Sequence, residues 1–212
     1  MEHRSSRGSP LKVTILVEGR TEMAFRPHLR AFLETRLQGR MPRLDFFTYN
    51  GRIPKEEKLR RTVETLLSVG NPPSSAVIAL TDVYTGTDDF RDAQDAKEKL
   101  RGWVGRNDKF HPHVALHDFE AWLLPFWSDI QRLAGHNRNA PKGQPETVDH
   151  NKPPSHHIRE IFRLGTCRDD YSKPRDANRI LMGKDLAVAA AACPELKAFL
   201  NTILVICGAS PL

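Results

Sequence analysis

The sequence predicts an α/β fold in which a mostly parallel central sheet is flanked by helices. Short runs of apolar and β-branched residues alternate along the chain with segments whose apolar residues recur at the period of a helix. This alternation is typical of parallel strands joined by helices that cover the sheet. With 212 residues, the chain is long enough to bury a large core without a metal ion or disulfide as a staple.

The first part of the chain contains four predicted strands and the helices that connect them. The strands are predicted at 13–17, 44–50, 76–82 and 113–117, and the connecting helices at 21–37, 54–70 and 89–103. After the fourth strand, Asp118 stands at a helix N-cap position before a crowded apolar segment that contains Pro125. We therefore expect a buried helix there that kinks or restarts near the proline.

The second part of the chain has a different character. Residues 134–151 show no apolar period and are rich in Gly, Pro, Asn and His, which predicts a long loop. Helices are predicted at 155–163 and 174–182, and an Ala-rich helical tail follows that can pack against the sheet. We divide the chain into an α/β core, 11–133, and a helical and loop-rich C-terminal extension packed on it, 134–212.

Charge and composition restrict the environment and the partners. Lys and Arg exceed Asp and Glu by 32 to 26, which favours a polyanionic partner, although a basic surface also serves solubility alone. The three cysteines have no CxxC or CxxH spacing, and no apolar run suits a signal peptide or a membrane span. We expect a cytoplasmic protein with reduced thiols and no membrane contact. The Ala-rich tail suits a core helix or a dimer contact, so the oligomeric state is open.

Acidic residues follow three of the predicted strands. Glu18 ends the first strand, Asp82 the third, and Asp118 and Glu120 follow the fourth, while Glu22 stands one helical turn after Glu18. Ligands of parallel α/β sheets bind outside the carboxyl ends of the strands, where these acids are expected to meet. Carboxylate oxygens suit Mg²⁺ or Mn²⁺, which can orient a phosphodiester and activate water.

Each of these acids also has a structural interpretation. Glu18 can accept backbone hydrogen bonds from the following turn or pair with Arg20, and Asp82 can form a turn. Asp118 can be a helix cap, and His117 beside it can be a hydrogen-bonded structural residue. Spacing alone leaves these alternatives open.

The order of motifs resembles known proteins. "ILVEGRTE" resembles the first strand and Glu-Gly turn of the Toprim fold, which is shared by topoisomerases, primases and overcoming-lysogenization-defect nucleases. Followed by "LTDVYTG", "HDFEAWLL" and "PETVDHNKPPSHHI", it resembles a bacterial domain-of-unknown-function family with a Toprim-like core. Genes of that family often lie beside a gene for a structural-maintenance-type ATPase in anti-phage loci. The resemblance extends over about residues 11–181.

The resemblance implies roles for individual residues. Glu18 matches the Toprim glutamate, a metal ligand or general acid/base, and Asp82 matches the first acid of the metal-binding Asp-x-Asp strand end. Glu120 matches the glutamate of the family's His-[Glu/Asp]-Phe-Glu-Ala element. The second aspartate of the Toprim pair is Tyr84 here, and His156 stands where the family tends to have a permanent cation.

A basic segment follows the core. Between His136 and Lys184 there are ten Lys or Arg against six Asp or Glu, and four of the nine histidines. We expect Lys152, Arg159 and His156 to contact phosphate, with an ordinary solvated loop as the alternative.

Two other interpretations of side chains near this segment are weaker. Zinc binding by His150, His156 and His157 is disfavoured because no thiolate or helical His-x₃-His pair accompanies them. Three nearby aromatic residues suit a buried core or a partner contact better than a base-stacking platform; they are Trp122, Phe126 and Trp127.

Together these features predict a Mg²⁺- or Mn²⁺-dependent nuclease that acts on DNA or RNA as the effector of an ATPase-linked anti-phage system. Its core ligands would be Glu18, Asp82 and Glu120, helped by Glu22 and Asp118. The alternative is a non-catalytic binding or regulatory module that docks on a partner ATPase or on nucleic acid, which Tyr84 favours. Hydrolysis of a small phosphorylated compound is a third alternative.

Overall fold

The protein is built on a four-stranded parallel sheet. A computed structural model describes residues 11–84, 89–148, 151–167 and 170–212. The strands are β1 (Lys12–Val17), β2 (Arg43–Thr48), β3 (Ala76–Val83) and β4 (Phe110–Leu116), in the order β2-β1-β3-β4. All neighbouring pairs are parallel, so the predicted sheet flanked by helices is confirmed.

Helical segments connect the strands and form the rest of the described chain. They are α1 (Arg20–Leu37), α2 (Glu56–Ser68), α3 (Ala93–Val104), a 3₁₀ segment (Phe119–Phe126), α4 (Trp127–Ala134), a 3₁₀ turn (Pro145–Thr147), α5 (Pro154–Leu164), α6 (Lys173–Leu181), α7 (Leu186–Ala192) and α8 (Pro194–Ile206). No helix in the described ranges is long and apolar enough to cross a membrane.

The structure corrects two predicted elements. Strand β4 begins at Phe110 rather than at 113, because Pro112 interrupts the apolar pattern yet is tolerated in a strand at the edge of the sheet. The segment after Asp118 is a 3₁₀ helix up to Phe126, and the α-helix starts at Trp127. A restart near Pro125 was predicted, but the 3₁₀ form of the first part was not.

The two faces of the sheet pack against different helices. On one face, Leu16, Val77 and Ala79 belong to a cluster with apolar residues of α2 and α3. On the other face, Ile15 and Ile78 belong to the main core, which includes α1, the 3₁₀ segment and the helices that follow it. The helices that cover these two faces form the walls of the site described below.

An aromatic group forms the centre of the main core. Trp122 is 1% exposed, and its ring stacks on Phe199 with the centroids 5.9 Å apart. Phe25 and Phe119 lie against the same indole. With Phe126 and Trp127 also buried, the core interpretation of these aromatic residues is confirmed.

The C-terminal helices complete this core. Helix α6 packs on α1, and α8 packs on β4, as expected for the Ala-rich tail. Apolar residues of both parts therefore share one cluster. The boundary between core and extension at 133/134 stays a prediction.

Candidate functional site

Five acids meet at the carboxyl edge of the sheet. The strand order reverses between β1 and β3, the position where α/β sheets bind ligands. The pKa of Asp82, near the end of β3, is raised well above its usual value by burial and by the negative charges of four other acids. In decreasing order of effect these are Glu22, Asp118, Glu120 and Glu18. The structure thus brings together all five predicted acids.

Alternation along β3 divides the site between the two faces of the sheet. Asp82 is two residues after Leu80 and four after Ile78, so its side chain points to the same face of the sheet as theirs, toward the main core. Thr81 points to the other face, and its Oγ1 donates a hydrogen bond to Oε1 of Glu18. Glu18 and Asp82 therefore approach the sheet edge from opposite sides.

Glu18 is held by neighbours distant in sequence rather than by its own turn. Besides Thr81, the backbone N–H of Ile53 hydrogen-bonds to it and lowers its pKa, as does the positive charge of Arg52. Burial outweighs these effects, so the pKa of Glu18 is raised. The predicted alternative partner, Arg20, is exposed at the start of α1.

Glu22 combines a structural and an electrostatic role. Its Oε2 accepts a hydrogen bond of 3.1 Å from the backbone N–H of Gly19 and so caps the start of α1. The side chain is buried, which raises its pKa, and the charge of Glu120 raises it further while Lys173 opposes this.

Asp118 caps a helix other than the predicted one. It stands before the 3₁₀ segment but makes no side-chain capping bond to it. Instead Oδ2 accepts a hydrogen bond of 3.2 Å from the backbone N–H of Ser155, at the start of α5. Asp118 is fully buried, which raises its pKa, and Oδ1 has no hydrogen-bond partner among the described residues. The site therefore contains a buried carboxylate oxygen with unused acceptor capacity.

Glu120 is fully buried and bound by two residues of the extension. Lys173 Nζ lies 2.9 Å from Oε2, and the hydroxyl of Tyr171 donates a hydrogen bond of 3.2 Å to Oε1. Burial and the charge of Asp118 raise the pKa of Glu120, and the surrounding acids raise that of Lys173 above its usual value. The sequence did not single out Lys173 or Tyr171, because nothing in their local pattern separates them from the rest of the basic segment.

The three predicted phosphate contacts differ in position. Burial raises the pKa of both Asp118 and Tyr84, and the charge of Arg159 opposes this rise in each of them. His156 and Arg159 line the same cavity of about 420 Å³, which lies beside Tyr171. Lys152 is exposed, and its charge acts on His157 and Glu160. Arg159 is thus the predicted cation that the structure brings to the site.

The donor set fits Mg²⁺ or Mn²⁺ in its chemistry. Carboxylate oxygens from three strand ends accumulate negative charge, and Oδ1 of Asp118 lacks a partner in the described part of the chain. No group of three or more His, Cys, Asp or Glu residues within the described ranges is already arranged as a metal site. A bound ion would therefore need side chains such as Glu120 to reorient. His150, considered for zinc, lies outside the described residues.

A cleft opens from the acids toward α2 and α3. It has a volume of about 280 Å³, and its lining includes Glu18, Thr81 and Asp82 at the edge of the sheet. Tyr84, two residues after Asp82, lines it and is 40% exposed. The lining also includes two cations and two aromatic rings: Arg52, Lys55, Phe90 and Trp103.

Comparisons with known proteins agree with this architecture. A profile of the family described as "Domain of unknown function (DUF4276)" matches residues 17–204. Among solved structures, the C-terminal region of the Burkholderia pseudomallei OLD protein is similar, with 13% identity and a TM-score of 0.53 over 92% of this chain and 98% of that one. The C-terminal region of the Xanthomonas campestris pv. campestris OLD protein aligns with 15% identity and a TM-score of 0.40 over 91% and 98%. No curated protein gives a significant match. The first likeness shows a shared fold and confirms the predicted Toprim-like α/β class.

Proposed function

The chain belongs to the DUF4276 family, and we propose that it is a Mg²⁺- or Mn²⁺-dependent nuclease of Toprim-like fold that cleaves phosphodiester bonds of DNA or RNA. The observation that carries this proposal is the convergence of five carboxylates on the edge of the sheet, where each of the other four raises the pKa of Asp82. Such a concentration of like charge is unfavourable without a cation. The basic residues beside it suit a polyanionic substrate.

The residues take the following roles. Glu18, Asp82 and Glu120 would hold the ion, with Glu22 and Asp118 completing its surroundings. When bound, Mg²⁺ would lower the pKa of a coordinated water molecule and neutralise negative charge on the phosphate. Lys173, kept protonated by the acids around it, and Arg159 place positive charge beside the substrate.

We place the chain in the cytoplasm, as the effector of an anti-phage system gated by a partner ATPase. The order of motifs in the sequence supports this setting. Co-purification of the chain with the product of a neighbouring ATPase gene tests it.

Metal binding and cleavage are best measured together. Mn²⁺ is titrated calorimetrically into wild-type protein and into Asp82→Ala and Glu18→Ala variants, while cleavage of mixed DNA and RNA is assayed with the same samples. We expect both variants to lose Mn²⁺ binding and to lose cleavage by at least about a hundredfold. The control is Asp108→Ala, an exposed acid before β4. Metal-dependent cleavage that survives in Asp82→Ala refutes the assignment.

A second candidate function is a non-catalytic module that docks on an ATPase or on nucleic acid. Two observations favour it: Tyr84 replaces the second Toprim acid, and the acids of the described residues are not prearranged as a metal site. Stable co-purification with an ATPase, combined with no cleavage of DNA or RNA in Mg²⁺ or Mn²⁺, would select this function over the nuclease.

A further inference from the structure

We infer that the cleft between Glu18 and helix α3 binds one unpaired nucleotide of the substrate strand. We call it the nucleotide cleft and define it by Arg52, Lys55, Phe90 and Trp103, which line it together with Glu18. The base would lie against the two aromatic rings and its phosphate against the two cations. This inference rests on the proposed nuclease function and adds that the site takes single-stranded nucleic acid.

The two cations already converge on one oxyanion. Nη1 of Arg52 lies 2.5 Å from Oδ2 of Asp89, and Nζ of Lys55 lies 2.5 Å from Oδ1 of the same carboxylate. Their side chains are 75% and 48% exposed, so solvent and ligands reach them. Two cations that bind the two oxygens of a carboxylate can bind two oxygens of a phosphate in the same way. Asp89 would then be exchanged for the phosphate.

The aromatic wall suits a nucleobase. The rings of Phe90 and Trp103 have centroids 6.3 Å apart and planes inclined by 48°, and both side chains are partly exposed. Single-stranded nucleic acids bind by stacking their bases on such rings while cations track the backbone. Both kinds of group face one cleft here.

The position and the lining of the cleft indicate which nucleic acid it would bind. Glu18 and Asp82 line it directly, and the charge of Arg52 acts on Glu18. A nucleotide held there has its neighbouring phosphodiester beside the acids. A base that lies on these rings has left the stack of a duplex, because both faces of a base in a duplex are covered by its neighbours. The cleft thus selects a strand that is unpaired next to the cleavage position.

Tryptophan fluorescence offers a direct test. The chain has three tryptophans, and Trp122 and Trp127 are only 1% and 9% exposed, so a bound base can reach Trp103 alone. Unlabelled oligothymidylate and oligouridylate are titrated into the Asp82→Asn protein, which is expected to bind without cutting. We expect saturable quenching of tryptophan fluorescence, and we expect it to disappear in Asp82→Asn/Trp103→Phe. The affinity of this double variant for the oligonucleotides should change by less than about threefold, because phenylalanine also stacks on bases. The two probes distinguish DNA from RNA.

The cations are tested by anisotropy of the same oligonucleotides carrying a fluorescent label. Arg52→Ala/Lys55→Ala in the Asp82→Asn protein should raise Kd about tenfold. The matched control is Arg60→Ala/Arg61→Ala on α2, which removes the same charge from a pair bound to Glu57 outside the cleft. It should change Kd by less than about threefold. Asp89→Asn should tighten binding, because the competing carboxylate is removed.

The outcomes separate this inference from the nuclease proposal. If wild-type protein cleaves nucleic acid but Trp103 is not quenched, or both double variants weaken binding equally, the nucleotide cleft is wrong and the nuclease stands. If the Asp82→Asn protein binds neither oligonucleotide and wild-type protein cuts neither, both proposals fail.

Discussion

At the scale of single residues, the contact of Lys173 with the buried Glu120 is the main place where opposite charge enters the acidic site. Glu120 is fully buried, so removing its partner leaves a charge without compensation. We predict that Lys173→Met lowers the free energy of unfolding by about 3–5 kcal/mol, measured by urea denaturation. Lys173→Met/Glu120→Gln should recover most of the loss.

A matched control for Lys173 lies just after the same helix. Lys184 is 2.7 Å from Asp129, which is 14% exposed, and both groups retain contact with water. Lys184→Met should cost no more than about 1 kcal/mol. If the two lysine variants are equally destabilised, the interpretation of Lys173 as the partner of a buried charge is wrong.

The charge of Asp82 supports a second prediction at this scale. In metal-free buffer its carboxylate is opposed by four other acids, so neutralising it should relieve repulsion. We predict that Asp82→Asn raises the Tm at pH 8 in EDTA by about 2–4 °C, and that Mn²⁺, which stabilises wild-type protein, no longer does so. A lowered Tm in EDTA would instead support the turn-forming role of Asp82.

At the scale of elements, the predicted loop 134–151 is tied to the last helix by Glu146. Its buried carboxylate accepts hydrogen bonds from Nε1 of Trp122 and from the backbone N–H groups of Glu195 and Leu196, at the start of α8. Glu146→Ala leaves these donors unpaired, and we predict a loss of about 2–4 kcal/mol in chemical denaturation. Lys142→Ala, an exposed change in the same loop, should be neutral within about 0.5 kcal/mol.

Packing of α8 on β4 predicts sensitivity to acid. His113 on β4 is buried, its Nε2 lies 2.9 Å from Oγ1 of Thr202, and its ring packs edge-on against Phe199. Burial lowers its pKa to about 3, and the charges of Lys97, His111 and Arg101 act in the same direction.

Protonation of His113 should therefore oppose folding. The pKa of His113 in the folded state lies below its value near 6.5 in the unfolded state. Above about pH 6.5 the residue is neutral in both states and the protein keeps its full stability. As the pH falls from there toward 3, the unfolded state binds the proton more readily and stability is lost. Over that window we predict that wild-type protein loses up to about 1.4 kcal/mol per pH unit relative to His113→Gln, measured by urea denaturation at each pH. Parallel pH profiles of the two proteins would contradict this.

The elements were more predictable from sequence than their contacts. The strand ends that carry Glu18, Asp82 and Glu120 follow from local periodicity, because apolar runs show where a parallel strand stops. Lys173 and the Asp118 cap were not predictable, because their partners lie 53 and 37 residues away and no local pattern encodes them. The start of β4 was missed because Pro112 is acceptable only at an edge, and the order of the strands was not known from the sequence.

At the scale of the whole molecule, the site is assembled from both parts of the chain. The sheet and its connections supply Glu18 and Asp82, while the extension supplies Lys173, Tyr171 and Arg159. The extension therefore does two things: it covers one face of the sheet, and it brings cations to the acids. A change that loosens α6 from α1 should weaken the site and the core together.

This dependence leads to a prediction about truncation. Residues 11–133 alone would expose the rings of Phe25 and Trp122, which are covered by Phe199 of α8. Apolar surface of that extent has no compensation in water. We predict that a chain ending at residue 133 shows no cooperative thermal transition and binds the dye ANS, whereas co-expression with residues 134–212 restores both the transition and Mn²⁺ binding. A cooperative transition in the truncated chain alone would show that the core folds independently, and that the extension acts on the site rather than on the fold.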